Sequence, residues 1–250
     1  MMELKSVMEY KLSFVLLLIG QFLTTFGVVL GTYFLFQRFH AIRGYTMEEV
    51  MLCYSMILIQ FTVAECLGRG FDYFPALIRS GNFDRILLRP QSTLLQVMGS
   101  KFEFTRIGRL GLAVVMFVYG FKGCEIAADW VNVLTIGFMM IGGVCLFIGI
   151  FVFTAGISFF TIDGLEIVNI LTNGALEFAK YPIAVYGKAF LRFCTFVIPY
   201  ALVQYYPLML LLGREGAWWW RLLPLAACLF IVPCVWFWRF GMRHYQSCGS

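Results

Sequence analysis

Asp163 and Glu166 lie about one helical turn apart, the spacing a working carboxylate pair needs. Acids so placed also serve simply to offset the dipole at a helix start. Glu166, Asn169 and Asn173 share one helical face, and Glu177 extends the polar series. Inside a bilayer such a face is costly, so it marks either a translocation path or a contact with a partner subunit. Other chemistry is sparse. With only His40 and His244, no histidine-based general base or metal cluster can be assembled. No GxxxxGK[ST] motif and no glycine-rich strand-to-helix turn occurs, so no nucleotide cofactor is expected in this chain. The eight cysteines include no CxxC pair and sit mostly in apolar runs, where a thiol acts as a small hydrophobe. Neither zinc nor a disulfide framework is expected.

The densest polar stretch is Arg69 to Lys101, with Arg69, Arg79, Arg85, Arg89 and Lys101 against Asp72 and Asp84. Apolar residues are threaded through it. Phe74 and Ile78 fall one turn apart, which predicts a short helix with one greasy face and Arg79 projecting elsewhere. Ser80-Gly81-Asn82 reads as a tight turn, since glycine reaches positive φ without strain. Pro90 ends the following segment and biases Arg89 towards extended backbone. Two short helices around a turn, at a membrane surface, are therefore predicted. Arginine could hold such a loop to anionic lipid, or the loop could dock a soluble partner and transmit force from it.

The elements that carry these residues are set by composition. The 250-residue chain is 61% hydrophobic and 13% charged, too few charges to cover a water-facing surface. An all-α membrane protein is expected, organised as one transmembrane domain over residues 1–250. The net charge of +5 is spread out, and its basic residues are expected to meet lipid headgroups, with no nucleic acid as partner. Leu4, Met8 and Leu12 recur at helical spacing, so residues 1–13 are read as an interfacial helix rather than a signal peptide. Phe14 to Phe36, Glu48 to Leu67, Phe104 to Phe121 and Trp130 to about Thr161 are long enough to span a core of roughly 30 Å. Thr46 is the expected N-cap of the second span, with Glu48 and Glu49 in its first turn. Glu65 is expected to reach the interface or meet a nearby arginine, and Arg106 and Arg109 to snorkel to headgroups. Gly142, Gly143, Gly149 and Gly156 predict close helix packing. The last span begins at Trp218-Trp219-Trp220 and closes near Trp238, Arg239 and Arg243.

The run from Ile78 to Pro90, IRSGNFDRILLRP, resembles the IR-x-G-x-FD-x-x-L-x-RP signature of type-2 ATP-binding-cassette (ABC) exporter permeases. Gly44-Tyr45-Thr46 with Val50, Leu52 and Tyr54 is similar to that family's approach to its second membrane helix. Tyr181-Pro182-Ile183, Ile198-Pro199 and Tyr206-Pro207 resemble its late proline pattern, while its phenylalanine-tryptophan pair appears as Phe159-Phe160. The resemblance implies a permease subunit that carries out no hydrolysis. Two copies of an ATPase subunit would bind ATP and Mg, and a second permease, identical or similar, would complete the pair. Residues 68–101 would be the cytoplasmic coupling loop, with Arg79, Gly81, Phe83, Asp84, Arg85, Arg89 and Pro90 docking on the ATPase. Phe83 would fill a hydrophobic notch there, while Asp84 and the arginines fix the orientation. A bacterial plasma membrane and export follow from the same likeness, whereas an amphipathic or hydrophobic cargo is what the aromatic-rich, weakly polar interior suits.

Six spans are expected, which puts both termini on one side. Hydropathy picks Phe190 to Leu212 as the fifth; the resemblance implies Asp163 to Lys180, with residues 181–213 as a re-entrant hairpin in the outer leaflet. The second reading is adopted, although it leaves only Lys5, Lys11, Arg69, Arg79, Arg85, Arg89, Lys101, Arg106, Arg109, Arg239 and Arg243 inside. Moving Lys180 and Lys188 inside would strengthen the positive-inside bias. The alternative function is a non-transporting membrane protein, a scaffold or an intramembrane enzyme, for which no convincing constellation of nucleophile, base or metal ligands is present.

Overall fold

The computed structural model describes residues 11–39, 41–101, 106–161, 174, 176–178, 180–214 and 216–246. Helices dominate, and no strand occurs among the described residues. Helix α1 (Lys11–Arg38) is followed by α2 (Met47–Asp72), then by three short helices, α3 (Phe74–Arg79), α4 (Asn82–Leu87) and α5 (Thr93–Met98). Two long helices come next, α6 (Ile107–Gly123) and α7 (Trp130–Ile157). Beyond them lie α8 (Lys188–Phe196), α9 (Tyr200–Val203) and α10 (Tyr205–Leu211). The chain ends in α11 (Leu223–Ala227) and α12 (Ile231–Arg243), which run on from a single-turn 3-10 segment at Trp218–Leu222.

Four stretches are long and apolar enough to cross a membrane: Val15–Arg38, Met47–Arg79, Trp130–Ile157 and Trp218–Arg243. A fifth arises if α8 and α9–α10 count as one broken span, since they meet at 89°. Six spans are thus not all met among the described residues. The expected fifth span falls largely on residues outside the described set. Phe190 to Leu212 is not a straight helix either; the chain turns at Pro199, which has no N–H to continue the helical ladder. At the N-terminus, Lys11 to Ser13 belong to the long α1 rather than to a separate surface helix, while residues 1–10 lie outside the described set.

Helix α2 is the hub. Its start carries a reciprocal cap, with the Glu49 N–H donating to Thr46 Oγ1 at 3.4 Å and the Thr46 N–H to Glu49 Oε2 at 3.0 Å. Most of its length is buried between α6 and α7. It runs past Leu67 to Asp72, further than its apolar run requires, because Phe71 and Gly68 still face protein. On α7, a Cβ added at Gly142 would strike the Pro224 carbonyl, and one at Gly143 would strike Gln60. That closeness lets Gln60 Nε2 donate to the Met139 carbonyl at 3.1 Å, which pairs the donor side of a buried amide while its Oε1 is left without a protein partner. By contrast α1 is largely unburied, as a lipid-facing helix is.

Candidate functional site

The polar loop is built on an aromatic base. Pro75 sits in the first turn of α3, where the missing N–H costs nothing, and Phe74 and Ile78 turn inward one turn apart as their spacing predicts. Arg79 is exposed. Gly81 then takes φ +67°, the left-handed conformation, and reverses the chain into α4. An added Cβ there would meet nothing within 4 Å, so the demand for glycine is one of backbone alone.

Helix α4 divides its residues between two faces. Phe83 has no exposed surface. Its ring meets Phe74 at 5.0 Å and Tyr245 at 5.0 Å, both edge to face, and Phe159 at 5.6 Å. Trp238 of α12 closes the cluster against Phe74 at 4.7 Å and Phe159 at 5.1 Å. Asp84 Oδ1 accepts the Tyr245 hydroxyl at 3.0 Å. Arg85 and Leu87 on the other face, and Leu88, Arg89 and Pro90 just beyond the helix, are exposed. Leu88 is 87% exposed, the most open large apolar side chain of the loop.

This corrects one expectation. Phe83 does not project towards a partner's notch; its ring is held in this chain's own core, because Phe159 and Tyr245 from the chain's later half close over it. Asp84 likewise braces the loop internally through Tyr245. Arg79, Arg85, Arg89 and Pro90 remain on the outer surface, and Gly81 forms the turn between the two helices. Sequence reasoning missed Tyr245 and Trp238 as parts of the site. The Phe159-Phe160 pair was the available signal for the α7 end of the cluster.

A second cluster lies beside the loop's root. Glu65, buried on α2, is ion-paired with Arg69 at 3.5 Å, Arg106 at 3.1 Å and Arg109 at 3.2 Å. Arg109 also donates to Gln21 Oε1 of α1 at 2.8 Å. Arg69 reaches on to Asp72 at 2.6 Å, and Lys101 Nζ sits 3.3 Å from the Tyr73 ring centroid. Arg106 and Arg109 therefore turn inward to an acid rather than snorkelling to headgroups, because a carboxylate one helix away is a better partner in low dielectric. The result ties α1, α2 and α6 together.

At the opposite end of α2, Arg214 grips both Glu49 carboxylate oxygens at 2.8 and 2.7 Å and the Gly44 carbonyl at 2.9 Å. Burial raises the Tyr45 phenol above its usual pKa, Tyr205 adds to this, and the Arg214 guanidinium works against it.

Of the expected polar face, Glu166, Asn169 and Asn173 lie outside the described residues, as does Asp163. Glu177 is exposed and ion-paired with Lys180. Among the described residues no three metal-ligating side chains converge, and the seven described cysteines are free thiols.

A family model described as ABC-2 family transporter protein matches residues 6–249. The chain belongs to the ABC-2 transporter family. It is thus a multi-pass membrane protein and a permease component of an ABC transporter. ABC-2 permeases are transmembrane subunits that work with ATPase subunits and are not themselves catalytic, which sets aside the intramembrane-enzyme alternative. No curated protein and no solved structure matched the chain.

Proposed function

We propose that this ABC-2 permease couples ATP hydrolysis in a separate ATPase to export of an amphipathic or hydrophobic molecule. The observation that carries the reading is the two-faced build of α4. Its inner face is anchored through Phe83 and Asp84 to the ends of α7 and α12, while Arg85, Leu88 and Arg89 point outward. An element fixed on one side and presenting charge and an apolar knob on the other is suited to receive a push and pass it on. In this reading residues 68–101 face the cytoplasm and dock on the ATPase, which binds ATP and Mg in two copies. Six spans, with the fifth over Asp163 to Lys180 and a re-entrant hairpin over 181–213, place both termini in the cytoplasm of a bacterial cell. The permease pairs with a second copy or a similar subunit. Affinity purification from native membranes tests the reading: an ABC-type ATPase co-purifies with the wild-type chain, and Arg85→Glu with Arg89→Glu loses it. Purification of the permease at full yield with no such ATPase would overturn it.

A further inference from the structure

An apolar cavity of about 360 Å³ opens between α7, α8 and the last span, lined by Ile150, Phe153, Phe193, Val197, Phe230 and Cys234. It exists because the chain bends away after α8, leaving Phe193 and Val197 facing α7 and α12 across a gap. The sequence neighbours Phe196, Leu229 and Val232 are 84%, 69% and 61% exposed, so this flank of the chain is an uncovered apolar surface. An apolar space of this kind gives water no hydrogen-bond partners, and a hydrocarbon chain fills it with dispersion contacts.

Helix α8 adds a second feature. Lys188 and Arg192 lie one turn apart on it, with Cβ atoms about 5–6 Å apart on helical geometry. Both are exposed, and among the described residues neither meets a carboxylate. Arg192 immediately precedes the cavity-lining Phe193. Exposed cations at a membrane surface attract anionic lipid headgroups. A molecule with an anionic head and a hydrocarbon chain satisfies both features at once.

We propose that α8 and this cavity form a site for an anionic membrane lipid, with one acyl chain in the cavity and the phosphate against Lys188 and Arg192. The inference rests on the chain spanning a membrane, and not on ATPase docking or export. Native mass spectrometry of the protein released from nanodiscs of equimolar phosphatidylglycerol and phosphatidylethanolamine tests it. Wild type is expected to retain phosphatidylglycerol in preference. Lys188→Gln with Arg192→Gln should lower that preference by roughly tenfold to thirtyfold while some lipid stays bound. Val197→Trp, which fills the cavity and keeps both cations, should lose retained lipid of either kind. Equal retention of the two lipids by wild type overturns the proposal without recourse to any variant. So does an unchanged preference in the charge variant, or full retention by Val197→Trp.

Discussion

Replacing Phe83 by alanine separates a structural ring from a docking ring. Phe83 is wholly buried and meets three aromatic neighbours, so its removal opens a cavity that Phe74, Phe159 and Tyr245 cannot close. Loss of a core phenylalanine costs roughly 3–5 kcal/mol. For a chain of this size that corresponds to a melting temperature lower by about 10 °C. Leu88→Asp provides the contrast. At 87% exposure it has little packing to lose, and its effect on melting should stay within about 0.5 kcal/mol. The assay is paired: thermal melting of the purified permease, and capture of its ATPase. Phe83→Ala should melt early, whereas Leu88→Asp should melt normally and lose the partner. If Phe83→Ala melted like wild type yet failed to hold the ATPase, the ring would be a docking group and the internal role would be refuted.

Gly81→Val should reach the membrane at normal levels but reduce substrate-stimulated ATP hydrolysis by the assembled complex, since strain of about 1–3 kcal/mol misdirects α4. Gly81→Asn should retain more activity, and equal rates for all three residues would show the turn to be indifferent. Glu65→Ala leaves Arg69, Arg106 and Arg109 around an empty centre and should destabilise by about 3–5 kcal/mol, read as a lower melting temperature; wild-type melting would show the cluster to be dispensable. In a cysteine-accessibility scan, Lys188→Cys should be labelled from outside and Arg85→Cys only from inside. Labelling of position 188 from the cytoplasm alone would remove the outer-leaflet hairpin.

Legibility followed the range of the forces involved. The cap of α2 was readable because Thr46 and Glu49 act on each other within one turn. So was the turn at Gly81, whose demand is set by its own φ. The glycines of α7 announced close packing, although not that Gln60 and Pro224 would be the neighbours. Phe83 was misjudged for the opposite reason. In a chain with 27 phenylalanines, exposure depends on which distant rings arrive, and Phe159 and Tyr245 come from the ends of other spans. Arg106 and Arg109 posed the same problem: snorkelling and pairing inward look alike until Glu65 is placed beside them. The prolines signalled a break after α8, but its 89° angle is a property of the packing around it.

The two clusters divide the bundle in a way that bears on coupling. The ionic cluster binds α1, α2 and α6 through Gln21, Glu65, Arg106 and Arg109, and removing any one charge exposes the others to a dry environment. The aromatic cluster binds α3 and α4 to the ends of α7 and α12 through edge-to-face and tilted ring contacts. Under the proposed docking, a displacement at the outer face of α4 would reach the aromatic cluster at the ends of α7 and α12 first, because Phe83 and Asp84 make that connection. Helix α2 belongs to both groups, with Glu65 in one and Phe71 against Trp238 in the other. It is the helix common to both clusters. Were the loop driven by an ATPase, as proposed, the path of contacts would lead into the face of α7 that carries Gly142, Gly149 and Gly156 and the span packed against it, the side on which the apolar cavity opens.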